Sequence, residues 1–174
     1  MTVGGFTSAV VTPSTLNAYV KAEYEFTLEP QHKIPQYGVI RISYPDQIGI
    51  EDPSLTQTLC NSWEGFTSQT PVCTILPDNR TLIVSKGFQA SDQEAAVLKW
   101  KVPYITNPPT LVETDSFTVE TMDQYFALID TIDAGVTVKM DTAAVFKSAD
   151  LELVSYTNTA KTMYRFTIVA TSSV

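Results

Sequence analysis

Apolar residues recur at every second position in one stretch of this chain after another. Tyr24, Phe26 and Leu28 alternate with Glu25 and Thr27. Ile40, Ile42 and Tyr44 alternate with Arg41 and Ser43, and Leu98, Trp100 and Val102 with Lys99 and Lys101. Phe117, Val119 and Thr121 continue the pattern, as do Val136, Val138 and Met140. A period of two sets alternate residues on opposite faces of a strand, so each stretch reads as a half-buried β-strand. Between them lies turn chemistry. Pro77-Asp78-Asn79-Arg80 separates Val72–Leu76 from Thr81–Ser85 and predicts a hairpin. Asn107-Pro108-Pro109-Thr110 interrupts any strand, because proline has no N–H for the ladder. Ser91 and Glu94 have the spacing of a helix capping box and predict a single helical turn. Short strands with turns at these intervals predict an all-β fold, an Ig-like antiparallel β-sandwich, with a barrel as the alternative. An all-parallel sheet would need crossover helices, for which the sequence has no signal.

Composition narrows the partners. Hydrophobic residues make up 44% of 174, enough for a core. The formal net charge is −8, so the surface repels phosphate backbones and no nucleic-acid partner is expected. No run approaches the ~20 apolar residues that span a bilayer, so no membrane-spanning segment is expected. The only two cysteines, Cys60 and Cys73, read as a disulfide, with two buried thiols as the alternative. With His32 the only histidine, they make no zinc site.

Candidate sites are few. Asn79-Arg80-Thr81 is an N-glycosylation sequon at the tip of the expected hairpin. Asp123, Asp130, Asp133 and Asp141 form a run of carboxylates that reads as an acidic surface rather than a calcium site, since no EF-hand spacing is present. His32, in the polar stretch Glu29–Lys33, reads as a solvated loop residue. No nucleophile elbow, phosphate loop or dinucleotide fingerprint occurs, so neither catalysis nor a cofactor is expected. Trp100 belongs on a core face, and Trp63 is the better exposed aromatic.

One pattern occurs twice. Tyr24-Glu25-Phe26-Thr27-Leu28 returns as Tyr164-Arg165-Phe166-Thr167-Ile168, 140 residues on (164 less 24). The wider order of motifs resembles the tandem β-sandwich repeats of very large extracellular surface proteins of ciliates and related protists. It runs Ile34-Pro35-x-x-Gly38-x-Ile40-x-Ile42-x-Tyr44-Pro45, the loop from Cys60 to Cys73, and Ile105-Thr106-Asn107-Pro108. Thr114-x-Ser116-Phe117-Thr118-Val119-x-Thr121-x-Asp123 and Ile129-Asp130 complete it. Tyr44 stands where the family often has Phe, and Tyr37 where it has a second Gly. The resemblance implies a non-enzymatic structural or adhesive array, extracellular or at the cell surface and often glycosylated.

On that basis residues 1–150 form one β-sandwich domain. Residues 151–174 form a terminal strand pair, the opening of a next repeat or a donated segment. Tyr164, Phe166 and Ile168 are then assembly residues, because two strands cannot bury that face alone. Phe6–Thr12 is the alternative donor. The expected partners are copies of this chain in a head-to-tail filament or coat. A glycan-binding adhesin module is the alternative reading.

Overall fold

The computed structural model describes residues 3–50, 60–68, 70–76, 80–144, 146–153 and 164–170. The chain forms β1 (Phe6–Pro13), β2 (Lys21–Pro30), β3 (Val39–Ser43), β4 (Gly49–Ile50) and β5 (Asn61–Glu64). It continues with β6 (Val72–Leu76), β7 (Thr81–Ser85), β8 (Leu98–Thr106), β9 (Thr118–Met122) and β10 (Leu128–Ile132). A last pair follows, β11 (Phe146–Leu153) and β12 (Tyr164–Ala170).

Two antiparallel sheets face each other. One has the order β1-β2-β8, with β4 and β5 sharing the far edge of β8; the other is β10-β9-β3-β7-β6. β1-β2-β8-β5 and β10-β9-β3 correspond to strands A-B-E-D and G-F-C of an immunoglobulin sandwich. The β6–β7 hairpin widens the second sheet beyond β3.

The alternating residues of both sheets meet in the middle. Tyr24, Phe26 and Leu28 from β2 and Leu98, Trp100 and Val102 from β8 are fully buried against Ile40, Ile42, Leu82, Val84 and Val119. Phe26 stacks on Trp100 with ring centroids 5.3 Å apart and meets Phe117 edge-on at 6.1 Å. A disulfide joins Cys60, just before β5, to Cys73 in β6, and so ties the edge of one sheet to the edge of the other.

Three local features depart from the sequence pattern. β8 runs past Val102 to Thr106 because a bulge at Pro103-Tyr104 shifts the alternation, burying Ile105 and exposing Tyr104. Pro103 sits at that bulge, where a missing N–H costs no ladder bond. Val136, Val138 and Met140 are buried but form no ladder. Val136 N donates to Ser116 Oγ and Val138 N to Thr114 Oγ1, both at 3.1 Å, while Phe117 N donates to Val136 O at 2.8 Å and Thr114 N to Val138 O at 3.0 Å, so side-chain and backbone bonds together stand in for a regular ladder. Ser91–Glu94 forms no helical turn; Gln93 bridges Ile34 instead, and Asp92 accepts from Gln36 N at 2.8 Å.

Burial also holds two tyrosine hydroxyls in their neutral form. Desolvation raises the pKa of Tyr24, and desolvation together with the neighbouring Tyr24 raises that of Tyr44. A raised tyrosine pKa favours the fold below the ordinary value of about 10, and that contribution is lost as pH climbs above it. Ultraviolet titration should therefore show Tyr24 and Tyr44 ionising only as the fold opens. Trp100→Ala should cost about 3–5 kcal/mol by denaturant unfolding, the range for emptying a large aromatic site.

Candidate functional site

The two ends of the sandwich are built differently, and β1 runs from one to the other. At the leading end the chain comes in through Gly4 and Gly5. Gly4 N donates to Ile129 O at 2.8 Å, and Thr131 N donates to Gly4 O at 3.1 Å. Beneath Gly4 lies Asp130, fully buried. Its carboxylate faces His32 Nδ1 at 2.7 Å and accepts from His32 N at 3.1 Å and Thr121 Oγ1 at 3.4 Å. A Cβ on Gly4 would collide with His32 Nδ1 and Asp130 Oδ1, so glycine is needed there for close approach. His32 is thus a half-exposed partner of a buried carboxylate rather than a freely solvated loop residue. Asp130 is a core ligand for that histidine, not part of an acidic surface. No group of three or more metal-ligating side chains occurs among the described residues.

The trailing end is organised by Asn107, which is buried. Its Oδ1 accepts from the Tyr24 hydroxyl at 2.7 Å, and its Nδ2 donates to Thr15 O at 2.8 Å and Asn17 O at 2.9 Å. The Asn-Pro-Pro stretch therefore secures the β1–β2 loop. The outgoing chain is pinned to the same loop. Ala18 N donates to Thr142 O at 2.7 Å, and Asp141 N to Leu16 O at 3.1 Å. The chain enters at one end of the sandwich and leaves at the other.

Beyond this exit, β11 and β12 pair with each other as a separate two-stranded sheet. Their register is that of β1 and β2 shifted by 140 residues. Val11 faces Phe26 and Leu151 faces Phe166; Phe6 faces Pro30 and Phe146 faces Ala170; each pair slips at its first bulge, after Phe6 and after Phe146. Besides the five-residue pattern, Phe6, Ser8 and Ala9 recur as Phe146, Ser148 and Ala149. The likeness extends through β11, so the terminal pair begins at Phe146 and not at residue 151. Ala149, Leu151 and Leu153 alternate with Ser148, Asp150 and Glu152, but the slip after Phe146 puts the aromatic out of phase with them.

The two hairpins differ in surroundings. Tyr24, Phe26 and Leu28 are buried, whereas Tyr164 is 55%, Phe166 72% and Ile168 56% exposed. β2 pairs along its second edge with β8; β12 has no strand there among the described residues. To take the place and direction of β1–β2 in its own sandwich, the hairpin would have to begin at the leading end. The chain from Thr142 to Phe146 reaches about 14 Å at most, while the eight-residue β1 is about 26 Å long. The other proposed donor, Phe6–Thr12, lies within its own sandwich with Phe6 buried.

Trp63 packs on the core, 6.3 Å from Trp100 and 5.1 Å from Phe66, so it is not the exposed aromatic expected. An adjacent pair of exposed aromatics, Tyr125 and Phe126, lies in the β9–β10 turn at the leading end. Asn79 lies outside the described residues. No described helix is long and apolar enough to cross a membrane.

No protein family and no curated protein matches this sequence. Among solved structures, the bacterial hydrophobin BslA aligns over 78% of this chain and 99% of its own, with 16% identity and a TM-score of 0.42. A type II cohesin domain from the cellulosome of Acetivibrio cellulolyticus aligns over 80% of this chain and 98% of its own, with 12% identity and a TM-score of 0.38. Likeness at this level transfers no property to the present chain.

Proposed function

We propose that this chain is a non-catalytic structural module, joined head to tail with copies of itself in an extracellular filament or surface coat. The observation that carries the reading is the β11–β12 hairpin. It repeats the register and bulge of β1–β2, yet its apolar face is bare. The face that buries Phe26 against Trp100 in one sandwich is presented again, one repeat further on, for another sandwich to cover. Tyr164, Phe166 and Ile168 are the assembly residues, each contributing about 1.5–3 kcal/mol if fully buried.

A compensating pair supports the 140-residue step. Gly4 leaves room for the His32 ring. One step on, the sequence has Ala144 and Ser172, a larger residue paired with a smaller one. The cystine fits an oxidising compartment. The resemblance to tandem surface repeats points the same way, and an N-glycan on Asn79 belongs to this reading.

The test is to extend the chain. Among the described residues every buried core residue lies between Phe6 and Met140, so residues 35–144 lack only the first hairpin and the short segment after it. Appending residues 35–144 directly after Val174 keeps the Ala144 and Ser172 combination and should let β11–β12 complete a second sandwich. Hydrogen exchange should then show residues 164–170 protected as strongly as residues 24–30. A folded first sandwich with an unprotected second half would defeat the tandem reading.

The chain of 174 residues itself should associate as its concentration rises, through the open edge and face of β12. Phe166→Asp should leave it monomeric in sedimentation with an unchanged melting temperature. A fall in melting temperature would mean that Phe166 supports its own sandwich, contrary to this reading.

A further inference from the structure

Resting on the tandem reading, we infer that consecutive sandwiches dock end to end, the leading end of one seated on the trailing end of the one before. The contact surface on the leading end is Tyr125, Phe126 and the groove beside His32, and the partner is a second copy of this sandwich.

Chain continuity sets the two ends against each other. Thr142 is held at the trailing end by Leu16 and Ala18. At the 140-residue step Ala144 takes the place of Gly4, which is held at the leading end by Ile129 and Thr131. Thr142 and Ala144 are separated by about 7 Å of chain at most. Ends tied that closely leave space between them for side chains and little else.

Both facing ends expose apolar side chains. At the leading end a groove of about 360 Å³ is lined by His32, Lys33, Pro35, Ala127, Leu128 and Ile129. Beside it the β9–β10 turn holds Tyr125 79% and Phe126 65% exposed. The turn is built to do so. Asp123 Oδ1 accepts from Tyr125 N and Ala127 N, both at 2.8 Å, and Phe126 N donates to Asp123 O at 3.0 Å. These bonds hold Phe126 at φ 63°, a left-handed conformation uncommon for anything but glycine. At the trailing end Leu16, Val20 and Leu111 are exposed, and Val112 is 72% exposed. The segment carrying Leu111 and Val112 leaves Pro108, whose carbonyl accepts from Tyr19 N at 3.0 Å, so it adjoins the loop that pins Thr142. Two aromatics bury roughly 300–500 Å² together. That is small for two free proteins, but a short tether supplies a local concentration in the millimolar range, where a weak contact suffices.

The test uses the extended chain described above, residues 1–174 followed by 35–144, studied by small-angle X-ray scattering. The unsubstituted protein should scatter as one rigid elongated particle. Alanine at the positions of Tyr125 and Phe126 in the appended copy should convert it to two freely hinged bodies. The same double substitution in the first copy, whose leading end meets no neighbour, should change nothing. Two folded sandwiches that hinge freely without any substitution would overturn the docking and leave the tandem reading intact. A second half that fails to fold would overturn both, and hydrogen exchange at residues 164–170 separates the two failures. Binding of an immobilised oligosaccharide by the chain of 174 residues, lost in Y125A/F126A, would assign the surface to carbohydrate and overturn the inference.

Discussion

Phe26 lies flat on Trp100, and most of the molecule is arranged so that it can. A hairpin with one apolar face is marginal in water until a third strand and an opposing sheet cover it. β8 supplies the strand, and β3, β7 and β9 supply the cover. The bulge at Pro103, the cystine between the sheet edges and the Asn107 network all keep β2 and β8 in that arrangement. β11–β12 carries the same face without the cover. One physical requirement, met in the first hairpin and unmet in the last, thus accounts for the stability of the sandwich and for its proposed role.

The ends of the sandwich give that requirement a direction. Gly4 is locked over the Asp130–His32 pair at one end, and Thr142 is locked onto the β1–β2 loop at the other. Between them the chain travels the length of β1. In the proposed array each copy would pass its chain on at the end opposite to where it received it, as a head-to-tail string requires. Polar groups perform this work because they specify position. Asn107 can satisfy Tyr24, Thr15 and Asn17 only from one place.

How much of the candidate site could be read beforehand depended on the kind of signal. Tyr164, Phe166 and Ile168 stood out because their pattern copies a buried strand. β11 did not, because the bulge after Phe146 sets its aromatic out of phase with Ala149, Leu151 and Leu153. The Asp130–His32 pair joins residues distant in sequence, and no spacing rule connects them. Trp63 looked like a loop aromatic; the stack on Trp100 that buries much of it forms only once the cystine loop is folded over β8. Tyr125 and Phe126 gave no periodic signal, since a turn residue's exposure is set by the turn's own hydrogen bonds.

The sequence by itself determined the all-β class, the faces of the main strands, the β6–β7 hairpin and the 140-residue recurrence. These are properties of local alternation, and a strand's alternation survives whatever it packs against. Only the tertiary structure decided which strands are neighbours, that Val136 and Val138 are held by a mixture of side-chain and backbone bonds to Thr114–Phe117 instead of a regular ladder, and that entry and exit lie at opposite ends. It also decided the difference between Phe26 and Phe166. Two segments of nearly the same sequence meet opposite fates because burial belongs to the surroundings, and only the first hairpin has a second sheet across from it.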